Sequence, residues 1–451
     1  MNTNEIQNLV HSQQKYFQTN QTYSIDFRVQ MLEKLKASIQ NHEKDIYEAL
    51  RIDLNKAETE SYMSEIGMVY SELNYMIKHV RAFSKKQRVR TPLAQFHARS
   101  YQQPCPKGNV LIMSPWNYPF LLTMDPLIDA LAAGNTCLLK PSAYAPATAQ
   151  IIKTVVEETF PSTYVAVVMG GRKENQTLLD QTFHHIFFTG SQMVGKEVLK
   201  KASEHFTTVT LELGGKSPCI VEKSADVALA SKRIVFGKLL NCGQTCVAPD
   251  YIYCDASIYD SLVAALQSEL QTQYDHNGKI INEKHYVRLK QLLQNCDILY
   301  GGSCNDATLQ IEPTLVQAKQ DSLIMQDEIF GPILPIIKYE KIEEVYQYIQ
   351  SKSCPLAFYI FSSDAKIIEH ATKMLPFGGG CINDTVIHLA SNQMGFGGYM
   401  ESGMGSYHGK IGFDTFTHYK SIVDKKCWID LPIRYQPYTK FKDGLIRFFM
   451  K

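Results

Sequence analysis

Two cysteines stand four residues apart in NCGQTCVAPDY (241–251). Cys246, between Gly-Gln-Thr and Val-Ala-Pro, could be a nucleophile, half of a metal or disulfide pair, or a small apolar core residue. A zinc site would need two further ligands at finger-like spacing, and no CxxC or HxxxH partner is present. No metal is expected. A carboxylate stands upstream in LELGGKSP (211–218), where Glu212 lies in an apolar strand before a Gly-Gly turn. Such an acid is either a paired structural group or a functional base, and burial raises its pKa toward neutrality. A third stretch, FFTGSQMVGKEVL (187–199), runs from a strand through Gly190 and Ser191 to Gly195 in the opening turn of a helix. It lacks the GxGxxG fingerprint. Even so, the orphan N–H groups and positive dipole end of a helix start suit a pyrophosphate, and the two glycines would let backbone approach it.

These groups need a scaffold. Short apolar runs recur at NVLIMS (109–114), TCLLK (136–140), YVAVVMGG (164–171), HIFFTGS (185–191) and TVTLELGGK (208–216). Helical segments of about ten to fifteen residues separate them, which indicates βαβ units and a parallel sheet. A helix at 227–240 leads into the cysteine motif, and strand–helix alternation then continues through YIYC (251–254) and ILPIIKY to about Asn383. That is a second α/β region. Helical periodicity covers about Phe27–Asn55 and Tyr62–Phe83, while KKQRVRTPLAQFHARSYQQP (85–104) reads as an exposed two-stranded excursion.

Composition narrows the function classes. The chain has 451 residues, enough for two or three domains, and 45% of them are hydrophobic, an ordinary globular value. Forty-six Lys and Arg face 45 Asp and Glu, so no basic field is available to grip nucleic acid. Neither a secretory signal nor a membrane-length apolar run is visible, and the eleven cysteines are scattered and odd in number. Together these read as reduced thiols in a cytoplasmic protein.

Seven stretches, in order and covering about residues 25–420, closely resemble the aldehyde dehydrogenase superfamily. They are SPWNYPF (114–120), AAGNTCLLKPS (132–142), FTGSQMVG (188–195), LELGGKSP (211–218), NCGQTCVAPDY (241–251), QDEIFGPILP (326–335) and SGMGSYHG (402–409). GQTCVAPDY and SYHGKIGFDTFTH (406–418) look most like the class 3, fatty-aldehyde-dehydrogenase-like branch. The resemblance implies a Rossmann-like parallel-sheet cofactor domain (1–83 and 106–211) and a second α/β catalytic domain (212–412). It also implies a small β oligomerisation extension (84–105 with 413–440) and a homodimer.

The resemblance also carries roles to individual residues. Cys246 matches the catalytic thiol, Glu212 the general base and Asn117 the oxyanion-hole amide. Lys140 matches the lysine at the adenosine ribose, and Gly190, Ser191 and Gly195 match the pyrophosphate turn. Glu328 matches the acid on the nicotinamide ribose, with Phe330 beside the nicotinamide. The implied reaction oxidises a medium or long aliphatic or an aromatic aldehyde to the acid, through a cysteine thioester, with NAD or NADP. A carotenoid (polyene) aldehyde is the leading specific alternative. Backbone N–H groups and a positive nicotinamide would favour the thiolate.

Three departures bear on this expectation. Ala143 stands where the family commonly has a ribose-chelating acid, which opens the site to NADP, although no arginine is identifiable as a phosphate partner. QMGFGGYMESG (393–403) changes a glycine-rich loop at Gly395 and Met400, and QYDHNGKIINEKHY (273–286) reads as a trimmed loop. Membrane-bound class 3 relatives end in a long apolar anchor, whereas FKDGLIRFFMK (441–451) is too short to span. It reads as a basic amphipathic tail, packed on the protein's own surface or in weak contact with a bilayer. A coenzyme A-acylating enzyme would not need Glu212, and a non-catalytic scaffold would not need Cys246. Cys242, read one helical turn before Cys246, is expected to be a bystander.

Overall fold

The computed structural model describes residues 1–274, 278–294 and 296–450. The loop read as trimmed at 273–286 includes 275–277, which lie outside the described residues, as does Lys451.

The apolar runs of the first region assemble into a six-stranded sheet. Its order is Gly403–Met404, Thr208–Leu213, His185–Gly190, Asn109–Met113, Thr136–Lys140, Val165–Val167. All neighbours are parallel except the first pair, in which Gly403 lies opposite Glu212. Asn109–Met113 and Thr136–Lys140 are buried at every position. Helices cover both faces of a parallel sheet, which is why these strands read as continuous apolar runs rather than alternations.

The second sheet has seven strands, in the order Asp297–Tyr300, Thr314–Gln317, Ile333–Tyr339, Tyr251–Asp255, Pro218–Val221, Ala357–Phe361, Gly379–Ile382. Only Asp297–Tyr300 runs antiparallel to its neighbour. One continuous core contains Ile112 and Leu139 of the first sheet together with Ile252 and Leu334 of the second. The helix Leu121–Ala133 is buried along its whole length. Periodicity could not place it, because a helix apolar on every side has no polar face to mark its turns.

The excursion at 85–104 pairs Gln87–Val89 antiparallel with Ala98–Pro106, and Thr417–Lys425 joins as a third strand. The first helical stretch divides at His42 into Ile25–Asn41 and Glu43–Leu54. The second contains a wide π-helical turn, Tyr62–Ile66, before Gly67–Phe83. A further helix, Thr3–Gln18, is fastened by an Asn2–Glu5 capping box. Its buried Gln13 donates to the Cys137 carbonyl at 2.9 Å, which ties the helix to the sheet. The tail forms the helix Lys440–Phe449, none of whose residues is buried. No described helix is long and apolar enough to cross a membrane.

Candidate active site

After the helix Val227–Leu239 the chain passes through Asn241, Cys242 and Gly243 with φ of 50°, 54° and 71°. Each non-glycine residue in this left-handed region costs about 1–2 kcal/mol. Hydrogen bonds over-determine the turn. The Asn241 N–H donates to Glu60 Oε1 at 2.7 Å, and its Nδ2 donates to the Asn117 carbonyl at 2.7 Å. Gln244 Nε2 donates to the carbonyls of Asn241 (3.1 Å) and Lys279 (3.0 Å), and its Oε1 accepts from Ile281 N–H. Gly243 is required here, because a Cβ would fall 2.3 Å from the Gly331 carbonyl oxygen. Cys242 therefore sits in a left-handed turn rather than one helical turn before Cys246, and it lines a separate small pocket with Lys56 and Glu60.

Cys246 opens into a cleft of about 540 Å³, shared with Asn117, Glu212, Gly190, Ser191, Glu328 and Phe330. The backbone N–H groups of Cys246 and Val247 lower the thiol's pKa, as expected. Burial outweighs them, and with the Glu328 and Glu212 carboxyls it pushes the thiol up to about 12. Without a dinucleotide, burial thus favours the Cys246 thiol; the expectation of a thiolate rests also on a positive nicotinamide beside it.

Glu212 is 3% exposed and neither carboxylate oxygen has a hydrogen-bond partner among the described residues. Burial raises its pKa well above the carboxylate range. A buried acid without partners is costly to keep, so the structural alternative, a paired acid, does not apply. Asn117 is buried and its Nδ2 donates to the Gln244 carbonyl at 3.0 Å, two residues before Cys246.

At the other end of the cleft, Ser191 caps the helix Gln192–Ser203, its Oγ accepting from Val194 N–H at 3.5 Å. The free N–H groups that open a helix suit an anion. Gly195 departs from expectation. It is buried and outside the cleft lining, and a Cβ there would fall 2.7 Å from Leu213 Cδ2. Its task is to let the helix close on the strand Thr208–Leu213. Lys140 is also outside the lining; it is 3% exposed, donates to the Pro141 carbonyl at 2.8 Å, and burial lowers its pKa to about 8. Ala143 is exposed nearby in sequence.

Glu328 projects toward Gly214, where a Cβ would stand 2.2 Å from Oε2. Burial, then Asp250, raises its pKa to about 8. Phe330 has φ 51° and packs edge-on to Trp116, with ring centroids 5.4 Å apart. Two groups that hold this loop were quoted in the motifs without a role. Lys216 joins Asp250 at 2.5 Å and donates to the Ile324 and Asp327 carbonyls, while Asp250 Oδ1 accepts from Ile329 N–H. Arg288, in no quoted motif, donates to the Glu328 and Ile329 carbonyls. GGK and PDY were the available signal for the first two.

A nicotinamide dinucleotide suits these residues. The cleft lining gathers the helix start at Ser191, the acid Glu328, the Phe330 ring, the unpartnered Glu212 carboxyl and the Cys246 thiol.

A model described as the aldehyde dehydrogenase family matches residues 1–422. The 4,4'-diaponeurosporen-aldehyde dehydrogenase of Staphylococcus aureus is 45% identical, covering 97% of this chain and 98% of that protein. Aldehyde dehydrogenase family 3 member A2 of Rattus norvegicus is 40% identical, covering 96% and 92%. A solved structure titled "Substrate bound state of Staphylococcus Aureus AldH" superposes with a TM-score of 0.97 at 44% identity, covering 99% of each chain.

Proposed function

The chain belongs to the aldehyde dehydrogenase family, with class 3 relatives, and oxidises aldehydes with NAD or NADP; from that premise we propose that Cys246 is its nucleophile, Glu212 its general base and Asn117 its oxyanion donor. The observation that carries this reading is the cleft in which an unpartnered, buried Glu212 and the Cys246 thiol face the same space. Ionised Cys246 attacks the carbonyl carbon; a C–S bond forms and the carbonyl electron pair moves to oxygen. Asn117 Nδ2 and the Cys246 N–H are the donors for that oxyanion, and loss of one such donor costs about 3 kcal/mol of transition-state stabilisation. The oxyanion then re-forms the C=O as the C–H bond breaks and its electron pair leaves as hydride, for which a bound NAD or NADP would supply the acceptor, and a thioester remains on Cys246. Glu212 takes a proton from water as the water attacks the thioester, the C–S bond breaks, and the acid leaves. Gly190 and Ser191 belong to the pyrophosphate turn, whose helix Gly195 lets close on the strand Thr208–Leu213; Glu328 and Phe330 belong to the nicotinamide end and Lys140 to the adenosine end. The six-stranded sheet is then the dinucleotide unit and the seven-stranded sheet the catalytic one.

The experiment is mass spectrometry of Glu212→Gln mixed with aldehyde and dinucleotide. An acyl adduct on Cys246 and a burst of reduced dinucleotide followed by slow turnover are expected. Wild-type steady-state turnover in that variant refutes the base assignment.

For substrate, we assign long apolar aldehydes, with a polyene aldehyde as the specific case. The similarity to the diaponeurosporen-aldehyde enzyme supports this. Catalytic efficiency rising with chain length across an aldehyde panel, measured with NAD and NADP separately, is the expected result; a flat series rejects it. A homodimer fits the long edge strand Thr417–Lys425, which presents unpaired backbone groups on its free side. The tail helix has Phe441 and Phe448 each 74% exposed, among Lys440, Lys442 and Arg447, and Met450 follows it at 76%. That pairing of apolar and basic side chains suits an anionic bilayer surface.

A further inference from the structure

Lys56 and Glu65 are joined at 2.5 Å with side chains 1% and 0% exposed. A buried pair of this kind is seldom worth more than apolar packing of the same volume, so its place in the structure invites a second explanation. Glu65 lies in the π-helical turn Tyr62–Ile66, and such wide turns often accompany functional sites. Its Oε2 accepts from the N–H groups of Phe120 (2.9 Å) and Leu121 (3.2 Å), at the start of the helix Leu121–Ala133. That fastens the helix entry next to Asn117. Lys56 Nζ stands 4.3 Å over the Tyr118 ring. The Tyr118 hydroxyl bonds Thr245 Oγ1 at 2.6 Å, and because Thr245 donates to the Leu240 carbonyl, the tyrosine is the donor. Glu60, from the same segment, accepts from Asn241 N–H, and Asn241 in turn donates to the Asn117 carbonyl.

Apart from the Lys56–Glu65 pair and the Thr245–Leu240 bond, each of these links joins the 56–65 segment to the Asn117 turn or the Cys246 turn, or those two turns to each other. We propose that Lys56, Glu65 and Tyr118 are positioning residues that hold the Asn117 amide in register with the Cys246 backbone N–H, so that both oxyanion donors converge on one point. The frame acts on acyl transfer and leaves dinucleotide affinity alone. It rests on the roles proposed above for Cys246 and Asn117.

The test measures single-turnover formation of reduced dinucleotide from octanal, with dinucleotide affinity followed by fluorescence. Lys56→Met/Glu65→Leu replaces the pair with apolar groups and also takes the acceptor from the Phe120 and Leu121 N–H groups. It is expected to slow acylation about 100-fold, the range for a lost oxyanion donor, with dinucleotide Kd within about twofold of wild type. Tyr118→Phe removes one hydroxyl and is expected to slow acylation about tenfold. Adding it to the pair replacement changes little further, because both act through one frame. A folded pair variant with the wild-type acylation rate overturns the proposal, as do fully multiplicative effects. If the pair variant does not fold, Tyr118→Phe decides alone: slower acylation at unchanged Kd supports the frame, and a wild-type rate overturns it. Asn117→Ala separates the two levels. If it leaves acylation untouched, the role of Asn117 falls and the frame with it; if it slows acylation while the frame variants do not, only the frame falls.

Discussion

At Cys246 burial and chemistry pull in opposite directions. Low polarity strengthens every hydrogen bond offered to a developing oxyanion, yet the same burial pushes the thiol up to about 12. The sign of the consequence is definite. Below that pKa the thiolate fraction grows tenfold per pH unit, so alkylation of Cys246 by iodoacetamide in the protein alone should climb about tenfold per unit from pH 7 to 10. A plateau near pH 8.5 would show a free, solvated thiol and contradict the burial argument. Glu212 behaves in the same sense. Its raised pKa keeps it protonated at low pH, where it cannot accept a proton from water, so thioester hydrolysis should quicken as pH rises. In Glu212→Gln that pH limb disappears.

Single elements carry the geometry that side chains need. The left-handed turn Asn241–Gly243 lies against the segment that follows Phe330, with Gly243 at φ 71° and no room for a Cβ beside Gly331. The turn that leads to Cys246 and the loop that carries Phe330 are thereby packed backbone to backbone. Gly243→Ala meets both an unfavourable φ and a backbone oxygen that cannot swing aside. We expect it to lose about 1–3 kcal/mol of stability in urea unfolding and to slow acylation. An alanine variant as stable and active as wild type would show that the turn can move freely.

For the whole molecule, the question is what the exposed tail helix meets. Lys440–Phe449 contributes nothing to the core, so removing it should leave the fold and the rate with octanal unchanged. Full-length protein is expected to sediment with phosphatidylglycerol vesicles, losing that association in high salt, while a chain ending at Thr439 stays in solution. Equal sedimentation of the two chains, or none by either, removes the bilayer from the account.

The order of apolar runs was enough to read the two α/β regions, because a strand buried on both faces writes itself as an unbroken hydrophobic stretch. The resemblance to the family's motifs pointed to Cys246, Glu212, Asn117 and Glu328, and the structure gathers all four in one cleft. Backbone conformation and charge state were not legible. The left-handed turn of Asn241 and Cys242 is imposed by partners as distant in sequence as Glu60 and Lys279. Gly195 looked like a phosphate-turn glycine, and only the packing of helix on strand gave it Leu213 as a neighbour. Lys56 and Glu65 lie in no quoted motif, and the link from Glu65 to Phe120 and Leu121 spans more than fifty residues. Residue type and spacing thus determined which chemistry is present. The tertiary structure decided how the groups are desolvated and aligned, because burial and long-range hydrogen bonds are properties of the folded chain.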